Sequence, residues 1–281
     1  MLGLSRSVRA ASPLMRFVVK RVAMDEFPRS ASSQAVTGAA WPYLIHQNYA
    51  SYSEEEHSVW GELVGRSFPE LEKHAAREYL DGFSVVGLEN DRLPNLAAIS
   101  ARLEPRTGWN ATPVSGFLPA PAFFEMLSAR RFPTTTWLRS WESMEYTPEP
   151  DIFHDVFGHV PMHAHPVFAD FLAHYGRVCA SVSVADVLEK LGRLFWYTVE
   201  FGVIRQREGI KVYGSGLISS YRECRNVMEG HCAIHDFTLD EVVSTPVKVN
   251  QLHKLLFAVS SFDQIYEAMH EAERRAVYGR L

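Results

Sequence analysis

His154 and His159 lie five residues apart in the stretch Glu149-Pro150-Asp151-Ile152-Phe153-His154-Asp155-Val156-Phe157-Gly158-His159. Forty-one residues further on, Phe195-Trp196-Tyr197-Thr198-Val199-Glu200 sets a carboxylate among apolar side chains. Two neutral imidazoles and one carboxylate form the minimal ligand set of a mononuclear iron(II) site that keeps positions open for oxygen. A carboxylate is seldom buried unless it is paired or bound to metal. The competing reading of Glu200 is an ion pair with Arg205. The histidine spacing is awkward on its own: five residues turn a regular helix by about 140° past the start, at about 3.6 residues per turn. Convergence therefore requires a distorted helix, or one that ends near Gly158, ahead of Pro161.

Other histidines offer weaker chemistry. His231 and His235 have the i,i+4 spacing that suits zinc, with Cys232 between them. No second Cys or His pair flanks them, and Gly230 opposes a settled helix. His163 and His165, on either side of Ala164, are expected in a solvated loop. Glu54, Glu55 and Glu56 read as the charged first turn of a helix. Neither GxGxxG nor GxxxxGK[ST] is present, which disfavours a nucleotide held on a glycine loop.

A chain of 281 residues, 47% hydrophobic and 22% charged, has the balance of a globular protein with a substantial core. Its net charge of −5 provides no broad basic surface, so no nucleic-acid partner is expected. Cys179, Cys224 and Cys232 are few and odd in number, which fits a reducing compartment. No apolar run approaches the roughly 20 residues that cross a bilayer, so no membrane partner is expected either. The first 24 residues carry Arg6, Arg9, Arg16, Lys20 and Arg21 and no acidic residue. That is the composition of an organellar transit peptide, or of a disordered basic tail, and the tail reading is adopted. The expected organisation is a disordered basic segment over 1–38 and a single catalytic domain over 39–281, in the cytoplasm.

Most of that domain reads as helix. Ser53 with Glu56 forms a capping box before Val59, Trp60, Leu63 and Val64 at helical spacing. The pattern continues over 71–80 and is expected to stop at Gly82. Pro94 opens a helix over 95–103, and further helices are expected over 122–130, 167–179, 185–206 and 262–278. Strand signals are short: 134–139, 209–213 and 255–259. The fold class is mainly α with a small β component (α+β).

Longer motifs then resemble a known family. Tyr146-Thr147-Pro148-Glu149-Pro150-Asp151-Ile152, His154 and Gly158-His159-Val160-Pro161 resemble the signature of the pterin-dependent aromatic amino acid hydroxylases. Trp196-Tyr197-Thr198-Val199-Glu200-Phe201-Gly202 resembles the family's third-ligand helix, and Tyr213-Gly214-Ser215-Gly216-Leu217-Ile218-Ser219-Ser220 the segment after it. The resemblance runs from about Trp109 to Phe262, and more loosely toward residue 50. It implies that His154, His159 and Glu200 are the iron(II) ligands and the catalytic centre. It further implies that tetrahydrobiopterin or a related tetrahydropterin supplies two electrons for O2 to hydroxylate an aromatic ring. By the same resemblance Arg139 holds the substrate carboxylate, with Thr147 and Ser219 as polar neighbours, and Ser219 also orients His154. Phe123 stacks on the pterin, and Leu118 and Asp155 contact it. Two positions depart from the pattern. Asp155 stands where animal members carry Glu, and Phe195 where some members carry Tyr.

Within the family, Trp196 and Val249 go with a phenylalanine preference, and Phe132 and Pro133 would line the remaining wall. An apolar wall discriminates by only about 10–200-fold per methylene-sized change, so some activity on tryptophan is expected. The chain is expected to carry neither the long N-terminal regulatory domain nor the C-terminal oligomerisation helix of animal members. It is most similar to the short bacterial phenylalanine 4-hydroxylases, which implies a monomer without allosteric activation by phenylalanine. The product tyrosine would feed catabolism or synthesis. Rival readings are hydroxylation at another ring carbon, a binding protein without turnover, and a zinc hydrolase.

Overall fold

The computed structural model describes residues 42–116, 118–145, 147, 149–248 and 251–281. The basic segment 1–38, Tyr146 and Val249 lie outside the described residues. A helical body carries two small sheets, as the α+β reading expects.

The body begins with α1 (Glu54–His74), whose capping box forms as read: the Ser53 hydroxyl accepts from the Glu56 amide, and the Glu56 carboxylate accepts from the Ser53 amide. The chain then breaks at Ala75 and Ala76, because the Ala76 amide donates to the Val212 carbonyl instead of continuing the helix. It resumes as α2 (Arg77–Val86). Gly82 does not stop this helix. A Cβ there would lie 2.0 Å from the Pro161 carbonyl oxygen, so the glycine exists for close packing. The stop is Gly87, in the left-handed region at φ 64°. Helix α3 (Leu96–Thr107) starts on the Asn95 side-chain cap and outruns its expected end, passing Pro105 before Gly108 at φ 75° closes it.

A parallel pair, β1 (Asn110–Pro113) and β2 (Arg131–Thr134), is joined by α4 (Ala120–Ser128). The strand expected over 134–139 thus ends where it was to begin. The amides of Thr135 and Arg139 donate to the carboxylates of Asp155 and Asp151, not to a neighbouring strand.

Next come a π-helical turn (Phe153–His159) and a 3-10 turn (Val160–Ala164), leading into α5 (Pro166–Ser181). The single helix expected over 185–206 divides into α6 (Ala185–Phe195), a second π-helical turn (Trp196–Glu200) and β3 (Val203–Gln206). Strand β4 (Gly209–Val212) hairpins back on β3. The short α7 (Ser215–Ile218), α8 (Tyr221–Met228), β5 (Ala233–Asp236), α9 (Leu239–Ser244), β6 (Leu255–Val259) and α10 (Phe262–Val277) follow. The second sheet has the order β4-β3-β6-β5, with β6 parallel to both of its neighbours.

The core is aromatic where it supports the first π-helical turn. Phe153 and Phe157 stack at 4.6 Å, Trp60 meets Phe153 edge-on at 5.5 Å, and Tyr79 and Phe83 close on Phe157. No helix among the described residues is long and apolar enough to cross a membrane.

Candidate active site

The π-helical turn resolves the spacing problem. When backbone amides bond five residues back instead of four, residues five apart return to the same face. Phe153 and Phe157 anchor that turn in the core, and the Tyr79 hydroxyl donates to the Phe157 carbonyl at 2.8 Å, giving a loosened backbone group a partner. His154 and His159 are thereby brought together, their Nε2 atoms 3.2 Å apart. The second π-helical turn, closed by the Phe201 amide donating to the Trp196 carbonyl at 2.8 Å, delivers Glu200 to them. Its Oε2 lies 3.6 Å from His154 Nε2 and its Oε1 3.4 Å from His159 Nε2. Arg205, the rival partner, pairs with Asp236 instead.

Donors about 2.1 Å from one ion, at right angles up to the tetrahedral angle, lie about 3.0–3.4 Å from one another. The triad is close to that spacing, and its donor types suit iron(II).

Hydrogen bonds outside the triad fix its orientation. The Ser219 hydroxyl donates to the Ser215 carbonyl at 2.7 Å, so it can only accept at its 2.8 Å contact with His154 Nδ1. The His154 proton therefore sits on Nδ1, and the Nε2 lone pair faces Glu200 and His159. The Ser215 hydroxyl donates to Glu200 Oε2 at 2.8 Å. Ser215 was missed as a site residue, although it sits in the Gly214-Ser215-Gly216 motif.

Asp151 was missed too. It is fully buried and bidentate to Arg139, at 2.7 Å to Nε and 2.8 Å to Nη2. It also accepts from the backbone amides of His154 and Arg139, at 3.1 Å each. Its signal was positional: an acidic residue three before His154, where it accepts from the His154 amide at the start of the turn.

A solvent-open cleft with an empty volume of about 350 Å³ reaches Asp155, the chain neighbour of His154. Leu118, Pro133, Thr135 and Asp155 are among its walls, and Asp155 Oδ2 accepts from the amide and hydroxyl of Thr135 at 2.8 and 3.0 Å. Phe132 is buried against His159, with ring centres 4.8 Å apart, and so backs a ligand. Phe123 packs against Phe124 and Phe195. Thr147 donates to the Glu149 carbonyl. Trp196 is buried and donates to His253 at 2.9 Å.

The loop expectation for His163 fails. Its ring is fully buried, stacked on Trp109 at 4.6 Å and against Phe132 at 4.7 Å, because the chain folds into the 3-10 turn at once after His159. Burial holds its imidazole well below the usual range, hence neutral. His165 caps α5. His231 and His235 do not meet as ligands: they approach Glu229 and Glu241, respectively, and His235 lies in β5.

With this geometry in place, residues 33–276 match the model of the biopterin-dependent aromatic amino acid hydroxylase family. The chain belongs to this family. It is 36% identical over 265 residues to the phenylalanine-4-hydroxylase of Mesorhizobium japonicum, covering 92% of this chain and 96% of that one. Its fold is similar to that of Chromobacterium violaceum phenylalanine hydroxylase with bound iron(III) and 7,8-dihydrobiopterin: TM-score 0.79, 35% identity, 84% of this chain and 87% of that one. The same bacterial enzyme bound to iron and phenylalanine gives a TM-score of 0.77 at 34% identity, covering 85% of this chain and 88% of that one.

Proposed function

We propose that His154, His159 and Glu200 hold the iron(II) with which this chain, a tetrahydropterin-dependent phenylalanine 4-monooxygenase, converts L-phenylalanine to L-tyrosine. The single observation that carries the ligand assignment is the convergence of three donor atoms from two π-helical turns. Bound together, iron(II) and the tetrahydropterin supply the means to activate O2 and the two electrons the reaction needs.

The side chains do the positioning. Ser219 keeps the His154 proton on Nδ1, and Ser215 steadies the Glu200 carboxylate. Phe132 seats the His159 ring. Arg139, pinned by Asp151 through Nε and one Nη2 hydrogen, directs its other donors to the substrate carboxylate. Thr147 lies beside that group. The pterin enters the cleft lined by Leu118 and Asp155, and Phe123 is assigned as the ring that stacks on it. Trp196, Phe132 and Pro133, with Val249 assigned by the family resemblance alone, are taken as the apolar residues for the substrate ring, which favour phenylalanine over tyrosine. The enzyme acts as a monomer. Its three free cysteines support a cytoplasmic setting.

The test is product analysis: iron-loaded protein, phenylalanine, a tetrahydropterin and O2, with the three tyrosine isomers separated by chromatography. The expected product is p-tyrosine, formed only when pterin is present. m-Tyrosine would overturn the placement of the ring, and product without pterin would overturn the cofactor role.

A further inference from the structure

Among the described residues, one other cluster brings three metal-donor atoms together. His174 of α5 meets His270 and Glu273 of α10, with their donor atoms within 4.8 Å of one another. His174 is buried at 4% exposure, and its Nε2 lies 2.9 Å from Glu273 Oε2. His270 Nδ1 is 4.0 Å from the same oxygen. The two imidazole rings are 4.2 Å apart, inclined at 50°. Residues 270 and 273 are three apart on α10, so both face the neighbouring helix. Tyr266, one turn earlier, stands edge-on to His270 at 4.8 Å and closes one side.

A hydrogen bond to Glu273 alone would satisfy His174 Nε2. It does not account for a second imidazole whose ring centre is 4.2 Å from the first and whose Nδ1 lies 4.0 Å from the same carboxylate oxygen. We propose that His174, His270 and Glu273 form a second metal site, distinct from the iron triad, that takes zinc(II) or a divalent ion of similar borderline softness. Two imidazoles and a carboxylate are a zinc ligand set, with water completing a tetrahedral shell. The partly exposed side chains of His270 and Glu273, 42% and 46%, leave room for that water. Magnesium and calcium, which prefer oxygen donors, do not suit it. The ion would tie the last helix to α5 without touching the reacting atoms.

The test uses iron-loaded protein dialysed against micromolar zinc chloride, with iron and zinc counted separately in wild type, His270→Ala and Glu273→Gln. His270 is exposed enough for the alanine variant to fold. The expected result is one retained iron in all three proteins and one added zinc in wild type only. Outer partners of a metal ligand alone are worth about 10–100-fold in affinity, so loss of a donor should weaken zinc binding at least about tenfold. The added zinc should raise the wild-type melting temperature and leave that of His270→Ala unchanged. No zinc uptake by wild type, uptake only at the expense of iron, or uptake by either variant equal to that of wild type would overturn the site.

Discussion

At the residue scale, the candidate site depends on which atoms carry protons. Ser219 spends its own hydrogen on Ser215, so it holds the His154 ring in the tautomer whose Nε2 lone pair can bind metal. Ser219→Ala should therefore weaken iron binding by about 10–100-fold, with little change in melting temperature. Iron titration of the purified variant measures this, and wild-type affinity would remove Ser219 from the positioning role. Arg139 is a harder residue to test by truncation. Arg139→Ala strips a fully buried Asp151 of its bidentate partner, and breaking a buried pair costs about 3–5 kcal/mol. The alanine variant should show a higher KM for phenylalanine together with a lower melting temperature. Arg139→Lys keeps the charge but loses the fork, so KM should rise with a smaller thermal loss. An unchanged KM in both variants would take Arg139 out of the substrate site.

At the scale of elements, the two π-helical turns are what the sequence concealed. Their ligands were legible as residue types, from His154, His159 and the isolated Glu200. Their convergence was not, because the turn geometry is set by distant groups: Tyr79 on α2 caps the Phe157 carbonyl, and Trp60 on α1 packs on Phe153. Signals confined to neighbouring residues were readable. The Ser53–Glu56 capping box formed as read, and β6 has the expected bounds. Gly82 was misread as a stop because its reason lies across the fold, at Pro161. Gly82→Ala should push α2 away from the turn that follows His159. Overpacking of this kind costs about 1–3 kcal/mol. A lower melting temperature and weaker iron retention are expected, checked by thermal denaturation and metal analysis. Wild-type values for both would mean that the contact relaxes freely.

At the scale of the molecule, a continuous core joins the helical body to both sheets and encloses all three cysteines. Burial raises each thiol: Cys224 is pushed up to about 12 and Cys232 to about 11, and Cys179 shifts in the same direction. A protonated, enclosed thiol reacts slowly. A thiol reagent at neutral pH should therefore label the folded enzyme hardly at all, and label all three cysteines once denaturant is added. Rapid labelling of the native protein would show that the core opens more readily than its packing allows. Sedimentation velocity should give one species of monomer mass with or without phenylalanine, and a stable dimer would contradict the monomeric assignment.

The most direct measurement pairs metal content with product in wild type and Glu200→Ala under identical iron loading. Wild type should retain one iron and form p-tyrosine from phenylalanine with tetrahydropterin and O2. Glu200→Ala should lose both properties while keeping a native far-ultraviolet circular dichroism spectrum. A folded Glu200→Ala enzyme with full iron content and undiminished tyrosine formation would contradict the triad.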